Sequence, residues 1–314
     1  MDITALTSRR FLVPGLITLA VLATLPLYTP AYAVVILTDF LMYIILTVSW
    51  VIFSGYTGYI SLASAAFFGV GIYISAVLGK TLPLPVVIGI GGLASFCVAL
   101  ITGAVTLRLR GIYFAIFTFG LVLLIQRFLL WLEMSIMGTR GRFVIVVSNN
   151  TIYLIMLGIF VAALLTAYFI QRSKFGLALQ SIGANEEAAA HTGINVTRVK
   201  IITFAISASF MGAAGAIMAT RWTYIDPYIA FSPLFSFMPV LMAIFGGMGQ
   251  LYGPIIGAAI FTGLQEFLIT QFPYYYMLIF GIILVVVILY LPNGVVGLIQ
   301  RWRKGGKVRQ HADT

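Results

Sequence analysis

Long apolar runs separated by short polar ones fill almost the whole chain. A bilayer core about 30 Å thick needs about 20 apolar residues in a helix that rises 1.5 Å per residue. By that measure the pattern predicts ten membrane-spanning helices, which cover residues 11–29, 34–53, 60–78, 83–106, 112–132, 151–170, 200–219, 234–249, 253–270 and 274–292.

The eighth predicted span is shorter than the others and is followed by a glycine-rich junction. That junction has the sequence GGMGQLYG at residues 246–253. Irregular backbone is tolerated at membrane depth where protein covers it. A re-entrant hairpin over 234–257 is therefore an alternative to a full crossing.

The composition supports a membrane protein. The chain is 61% hydrophobic and 8% charged, whereas soluble domains are about 45–50% apolar and about 25% charged. Its mean hydropathy is +1.10, and the surplus apolar surface must face lipid. We therefore expect an all-α, polytopic transmembrane helix bundle of about ten spans that forms a single domain over residues 1–314.

Lysine and arginine are distributed unequally between the two sides of the predicted bundle. If the N-terminus is cytoplasmic, thirteen of these residues fall on the inside, four on the outside and one, Arg127, within a span. This bias predicts that both termini are cytoplasmic. The basic tail 300–314 is expected to lie on anionic headgroups. The net charge of +10 does not indicate nucleic-acid binding, because the basic residues flank spans.

The N-terminus also resembles an export signal. SRRFLV at 8–13 looks like a twin-arginine motif, and AYA at 31–33 looks like a cleavage site. We interpret Arg9 and Arg10 instead as the basic flank of a first spanning helix that is retained.

Candidate catalytic and cofactor chemistry is missing from the sequence. His191 and His311 are far apart and lack acidic or cysteine partners at ligand spacing, and GKT at 79–81 lacks the first glycine of a phosphate-binding loop. The chain has one cysteine, Cys97, so cysteine clusters and an intrachain disulfide are excluded. We expect no enzyme activity, no metal and no cofactor on this chain.

A few polar residues fall inside or beside predicted spans, where they are costly and tend to have a function. Asp39 and Glu266 could form a structural pair or line a cavity, and Arg127 and Glu133 lie near the outer end of one span and are expected to reach water. Residues that could belong to a transport pathway or serve as intramembrane polar groups are Asp39, Ser61, Ser64 and Glu266.

Small residues recur at helix-packing spacing in two of the predicted spans. Ala208, Gly212 and Ala216 are four residues apart, and so are Gly253 and Gly257. Such spacing lets helix backbones approach closely. It predicts a tightly packed bundle.

One long polar insert interrupts the apolar pattern at residues 171–199. Within it, SIGANEEAAAHTGIN (181–195) predicts a surface helix of about eight residues. Asn185 suits the N-cap, Glu186 and Glu187 suit the positive helix start, and Gly193 suits a left-handed position after the helix. The alanines that form its slim body are Ala188, Ala189 and Ala190.

Basic residues on both sides are expected to anchor this insert at the cytoplasmic face. They are Arg172, Lys174, Arg198 and Lys200. An isolated helix this short is marginal in water, so the bundle or a partner must hold it. The residues alone leave two interpretations open: a connecting loop with an incidental helix, or a docking element for another protein.

At this insert the chain resembles the permeases of ABC importers. EAAAHTG (187–193) fits their E-A-A-x-x-x-G pattern, and 172–219 is similar to the M-type (LivM-like) permeases for branched-chain amino acids. Segments 61–78, 106–120 and 241–261 resemble the same family, so the similarity covers roughly 34–292. One departure is that Ala63 and Ser64 stand where the family usually has Gly and then Gln or His.

The resemblance implies a subunit of an ATP-driven importer in a bacterial inner membrane. Its expected partners are a homologous second permease, two cytoplasmic ATPases that hold ATP and Mg²⁺, and an extracytoplasmic solute-binding protein. The insert 171–199 would be a cytoplasmic coupling loop whose helix docks on an ATPase. Residues assigned to ATPase coupling are Asn185, Glu186, Glu187, Ala188, Ala189 and Gly193, with both glutamates presenting charge to the ATPase.

Scarce charge along the spans indicates a neutral or zwitterionic solute. Branched-chain amino acids are the first expectation, and the departure at 63–64 leaves urea, short amides and aromatic acids open. A rival from another class is an ion-coupled secondary transporter, in which Asp39 and Glu266 would bind the coupling ion.

Overall fold

The computed structural model describes residues 9–248 and 252–290, which are almost entirely helical. Among these residues, seven helices are long and apolar enough to cross a membrane. The helices are α1 (Arg9–Tyr28), α2 (Ala31–Thr57), α3 (Ser64–Leu78), α4 (Leu84–Thr106), α5 (Ile112–Met137), α6 (Asn149–Arg172), α7 (Lys174–Ala184), α8 (Glu186–His191), α9 (Val196–Met218), α10 (Pro227–Ala230), α11 (Leu234–Gly246), α12 (Tyr252–Gln271) and α13 (Tyr276–Tyr290).

Each of the ten predicted spans contains a helix, and the all-α bundle is confirmed. The largest difference concerns 60–78, where the helix begins only at Ser64. Gly58 ends α2 with a φ of 73°, and the chain then runs irregularly to Ala63. The apolar pattern continues through this segment, so hydropathy alone could not show that its backbone is not helical. The predicted basic tail 300–314 lies outside the described residues.

The small residues of α9 pack where three helices meet, as predicted. A Cβ on Gly212 would lie 2.1 Å from Ser95 Oγ of α4, and a Cβ on Gly71 of α3 would lie 1.9 Å from the Gly212 carbonyl oxygen. Any side chain at these positions would push the helices apart. Close backbone approach therefore holds α3, α4 and α9 together.

A second glycine contact joins α11 and α12 into a tight hairpin that packs against α2. A Cβ on Gly246 would lie 1.9 Å from the Gly253 carbonyl oxygen, and one on Gly257 would lie 2.1 Å from the Met242 carbonyl oxygen. The junction between these helices includes residues 249–251, which are outside the described part. The predicted packing role of Gly253 and Gly257 is confirmed.

The bundle has two distinct ends. α7 and α8 pack at one end, beside the C-terminus of α2 and the start of α9. At the other end, β1 (Arg142–Phe143) pairs antiparallel with β2 (Tyr224–Ile225). Because α9 has 23 residues, it separates these ends by about 35 Å. We call them the loop face and the ribbon face.

Candidate functional site

The polar insert folds as two short helices on the loop face. Ser173 caps α7, whose far end lies so close to α2 that a Cβ on Gly183 would be 2.1 Å from the Tyr56 carbonyl oxygen. Helix α8 follows at once. Asn185 Oδ1 accepts hydrogen bonds of 3.0 Å from the amides of both Glu187 and Ala188, so the predicted N-cap is confirmed.

Helix α8 spans six residues, shorter than the eight expected, because only six helical positions fit between the Asn185 N-cap and the C-cap that precedes the left-handed Gly193. Gly193 has a φ of 85°, and its amide donates to the Ala190 carbonyl at 3.1 Å. The Ile194 amide reaches back to the Ala189 carbonyl at 3.3 Å. This pair of bonds is a Schellman motif, which satisfies the last carbonyls of the helix.

Glu186 turns inward and meets a buried lysine. Lys200 Nζ donates to Glu186 Oε1 at 2.8 Å, to the Tyr59 hydroxyl at 3.2 Å and to the Leu107 carbonyl at 3.4 Å. The Tyr59 hydroxyl donates to Glu186 Oε2 at 2.5 Å, and Lys200 Nζ also lies 4.4 Å from the centroid of the Tyr59 ring. We call Tyr59, Glu186 and Lys200 the loop-face triad.

The triad is an electrostatically matched site. Lys200 is only 2% exposed, so its charge requires the partners that it has. Burial acts to raise the pKa of Glu186, but hydrogen bonds from Lys200 and Tyr59 outweigh it, and the pKa lies below its usual value. Burial and the neighbouring Glu186 raise the pKa of the Tyr59 hydroxyl. Glutamate therefore stays ionised and tyrosine neutral at physiological pH.

Glu187, one residue on, is exposed to solvent. Its carboxylate lies 3.3 Å from Arg110 on the α4–α5 loop, and the side chains of both residues are more than half exposed. Hydrogen bonding to Glu187 raises the pKa of Arg110. Such an exposed pair adds little to stability, so Glu187 remains available to a partner.

The remaining predicted loop residues divide by exposure. Asn185, Ala188 and Gly193 are exposed, whereas Ala189 packs against the bundle. Among the four basic anchors, only Lys200 is buried; the others, Arg172, Lys174 and Arg198, are exposed. The sequence indicated neither Tyr59 nor Arg110. A signal for a partner did exist, because Lys200 starts a predicted span and a lysine there needs an acceptor.

Tyr59 belongs to the irregular segment 58–63, which three helices hold in place. Trp50 Nε1 of α2 donates to the Ser61 carbonyl at 2.7 Å. Thr118 Oγ1 of α5 accepts from the Leu62 amide at 3.0 Å, and Ser236 Oγ of α11 donates to the Leu62 carbonyl at 2.7 Å. Through Tyr59, the loop-face triad is therefore linked to a segment that is hydrogen-bonded to α2, α5 and α11.

Ser61 and Ser64, which sequence placed near a possible pathway, lie deep in the bundle. They line a void of about 10 Å³ together with Ser54, and the hydroxyls of Ser54 and Ser64 have no hydrogen-bond partner in the described part of the chain. A void of this size holds at most about one water. In this conformation it is closed to any larger solute.

Asp39 and Glu266 lie toward the ribbon face and do not pair with each other. Asp39 forms an ion pair with Arg221, and the Tyr32 hydroxyl donates to Glu266 at 2.8 Å. Both acids line one cavity of about 230 Å³. The cavity-lining alternative is therefore confirmed, and a direct Asp39–Glu266 pair is excluded.

The expectation that Glu133 reaches water is wrong. Its side chain is 1% exposed, and its two oxygens lie 2.9 Å from the Gly141 amide and 3.4 Å from Arg142 Nε. The ribbon folds back over the end of α5 and covers this carboxylate. Arg127, the other residue expected to reach water, is exposed and donates to the Tyr228 hydroxyl at 2.8 Å.

A bundle of apolar helices with a polar helical loop on one face defines a polytopic membrane protein. Residues 32–288 match the family described as "Branched-chain amino acid transport system / permease component". Because this match covers most of the chain, the protein belongs to that family.

Individual relatives agree with this assignment. The chain is 27% identical to the high-affinity branched-chain amino acid transport permease LivM of Salmonella typhimurium, over 82% of this chain and 68% of the relative. LivM of Escherichia coli K12 is also 27% identical, over 89% of this chain and 73% of the relative. The LivH permease of Escherichia coli K12 is 31% identical over 44% of each chain. No solved structure matches the chain.

Proposed function

We propose that the protein is a pore-forming subunit of an ATP-driven importer for branched-chain amino acids. It would lie in a bacterial inner membrane with both termini in the cytoplasm, and would itself hold no cofactor and catalyse no reaction. The family match and the LivM relatives support the substrate class. The basic residues at the loop face support the orientation.

The proposed complex contains a second permease, two ATPases that bind ATP and Mg²⁺, and an extracytoplasmic solute-binding protein. Similarity to both LivM and LivH of the same organism supports the second permease, because two related chains there carry the same system description. The ATPases would supply the energy for transport.

The loop-face triad is the observation that carries the proposal. A loop with no task beyond connecting α6 to α9 would not need a glutamate that pairs with a buried lysine and accepts a hydrogen bond from a tyrosine 127 residues away in sequence. In the proposed mechanism, the exposed side of α8 docks on an ATPase through Glu187 and Ala188. Glu186 stays within the chain and transmits movement of α8 to Tyr59 and segment 58–63.

Two discrete arrangements of the bundle would then alternate the opening of the pore. Segment 58–63 is bonded to α5 through Thr118 and to α11 through Ser236. A shift of α8 therefore reaches α5 and α11 through defined hydrogen bonds. In switching of this type, a small shift at one site is amplified because the packed helices have two discrete arrangements.

Charge reversal at Glu187 tests the docking role. Glu187→Lys should leave the bundle folded, because the side chain is exposed, but should uncouple leucine uptake from ATP hydrolysis. The measurement is ATPase turnover and uptake by the complex in proteoliposomes. The control is Lys80→Glu, which reverses the charge of an exposed residue in the α3–α4 turn on the ribbon face. Coupled transport at the wild-type rate in Glu187→Lys would contradict docking through this residue.

Ion-coupled secondary transport is the second candidate, because Asp39 and Glu266 line one cavity. Vesicles separate the two mechanisms. Uptake that requires ATP and is unaffected by ionophores supports the importer, whereas collapse on ionophore addition supports the ion-coupled mechanism. Urea and phenylalanine as competitors test the alternative solutes.

A further inference from the structure

The ribbon-face end of the bundle contains a cavity with mixed walls. It lies between the first part of α2, the end of α9, the start of α11 and the last turns of α12, and its volume is about 230 Å³. Pockets for drug-sized ligands measure about 300–1,000 Å³. The size therefore suits a smaller solute.

The charges around this cavity do not balance. Asp39 and Glu266 provide two carboxylates, whereas Arg221 provides one guanidinium and is paired with Asp39. Within residues 9–248 and 252–290, Glu266 has the Tyr32 hydroxyl as a donor at 2.8 Å and no ion-pair partner. The site therefore carries one net negative charge when both acids are ionised.

A second observation indicates unfilled hydrogen-bonding capacity. Gln265 Oε1 is buried and has no hydrogen-bond donor among the described residues, although its side chain lines the same cavity. A buried acceptor without a donor costs about 1–3 kcal/mol. A ligand that donates hydrogen bonds and carries positive charge would satisfy both Glu266 and Gln265.

Much of the remaining wall is apolar. It is formed by Met42, Met218, Trp222, Phe235 and Ile269. Such a wall suits an aliphatic group of limited length, and methionine side chains adapt to its branching. The cavity therefore offers a carboxylate, a guanidinium and an apolar surface to one small solute.

We propose that this cavity binds a small aliphatic solute through its ammonium group. The ammonium would be held by Glu266 and Gln265, and a carboxylate on the same solute would engage Arg221. The aliphatic part would lie on the methionine and phenylalanine wall. The inference deepens the proposed function and rests on it, since it makes this cavity the point where a transported amino acid first engages the chain.

Three probes with the same isobutyl group separate the two charged groups of the solute. Leucine has both groups, 3-methylbutylamine has only the ammonium, and 4-methylpentanoate has only the carboxylate. Binding is measured on the full chain in lipid nanodiscs, without the solute-binding protein, by competition against radiolabelled leucine. The amine should compete and the acid should not.

Variants identify the groups responsible. Glu266→Gln keeps an acceptor for Tyr32 but removes the charge, and should weaken leucine and the amine at least about tenfold, because hydrogen bonds to charged groups are strong. Glu266→Asp should retain most binding. Arg221→Gln should weaken leucine and leave the amine bound. Lys80→Gln, exposed in the α3–α4 turn on the same face, should change nothing.

Several results would overturn the inference. These are unchanged affinity in Glu266→Gln, equal competition by the acid and the amine, or displacement of leucine by sodium chloride at the concentration of the amine. The outcome is separable from the proposed function. ATP-driven leucine uptake by the wild-type complex with normal uptake in Glu266→Gln would reject the cavity alone, whereas amine binding without ATP-driven uptake would reject the importer alone.

Discussion

Two polar clusters of this protein lie at opposite faces and are built in opposite ways. On the loop face, one carboxylate meets one buried ammonium, and every donor of the triad finds an acceptor within the chain. On the ribbon face, two carboxylates and one guanidinium line a cavity of about 230 Å³, and the guanidinium pairs with only one of the carboxylates. One cluster is closed and balanced; the other is open and carries excess negative charge.

This difference separates a structural joint from a binding site. A matched and buried cluster leaves nothing for a ligand, and loss of either partner exposes the other to an apolar surrounding. An unbalanced cluster around empty space has the reverse property, since its own residues cannot neutralise it. Variants of the loop face should therefore change stability most, whereas variants of the ribbon face should change binding most.

The largest expected loss of stability comes from Lys200→Met. It leaves Glu186 as an unpaired, mostly buried carboxylate, and removal of one partner of a buried pair costs about 3–5 kcal/mol. Because Glu186 is 22% exposed on its side chain, we expect about 3 kcal/mol. Thermal unfolding in detergent micelles measures it. Arg221→Met should cost less, and an equal or larger cost there would break the comparison.

Removing the loop-face acid as well should restore part of that loss. In Lys200→Met with Glu186→Leu, no buried charge is left unpaired, so the double variant should be more stable than Lys200→Met alone. Lys174→Met, which changes an exposed lysine of α7, is the matched control and should have little effect. Additive losses in the double variant would show that Lys200 and Glu186 do not act as a pair.

Ser236→Ala should have the next largest effect. Its hydroxyl donates to the Leu62 carbonyl at 2.7 Å and accepts from the Ala65 amide at 3.3 Å. Both backbone groups would be left buried without this partner, at a cost of about 1–3 kcal/mol. Ser209→Ala is the control, because that hydroxyl bonds only its own helix, to Ile206. Equal unfolding temperatures for the two variants would contradict the role of Ser236 in holding segment 58–63.

Acid should release α8 before it unfolds the bundle. The pKa of Glu186 is lower in the folded state than its usual value, so its contribution to stability is complete above that usual value. The contribution is lost as the pH falls through the lowered value. Limited proteolysis of residues 173–195 between pH 7 and pH 3 measures the release. The Glu186→Gln variant has no carboxyl group at this position. Its rate of proteolysis should therefore not follow the titration of Glu186.

Gly193→Ala should have the smallest effect. The residue has a φ of 85° with no atom near a built Cβ, so only backbone strain of about 1–2 kcal/mol is expected. Gly158→Ala in α6 also meets open space but has no positive φ, and should instead stabilise by about 0.4–1 kcal/mol. If both variants changed the stability in the same direction, the left-handed conformation at the end of α8 would be contradicted.

Local signals predicted local structure well. The Asn185 cap, the left-handed Gly193 and the close packing at Gly212 and Gly257 were all predicted from residue type and spacing, because each depends on a few neighbours in the chain. The boundary at Ser64 could not be predicted in this way. Residues 58–63 are apolar enough to be helical, and their irregular backbone is stabilised by Trp50, Thr118 and Ser236 from three other helices.

The two adjacent glutamates of α8 show the same contrast between what neighbouring residues determine and what the tertiary structure determines. The resemblance implied that both present charge to a partner. Only Glu187 is exposed to solvent. Glu186 contacts Lys200 and Tyr59, and the Tyr59 contact spans 127 residues of sequence, a separation at which no periodicity or capping rule operates.

Sequence alone determined that this chain is an apolar helix bundle with a capped polar loop, because hydropathy and capping are properties of consecutive residues. Tertiary structure alone decided which charges meet. Asp39 could have paired with Glu266 through a shared proton, and Lys200 could have faced water. The packing of α2, α9 and α12 placed Arg221 beside Asp39 instead, and the docking of α8 placed Glu186 on Lys200. Electrostatic energy depends on distance in space, and the fold sets that distance.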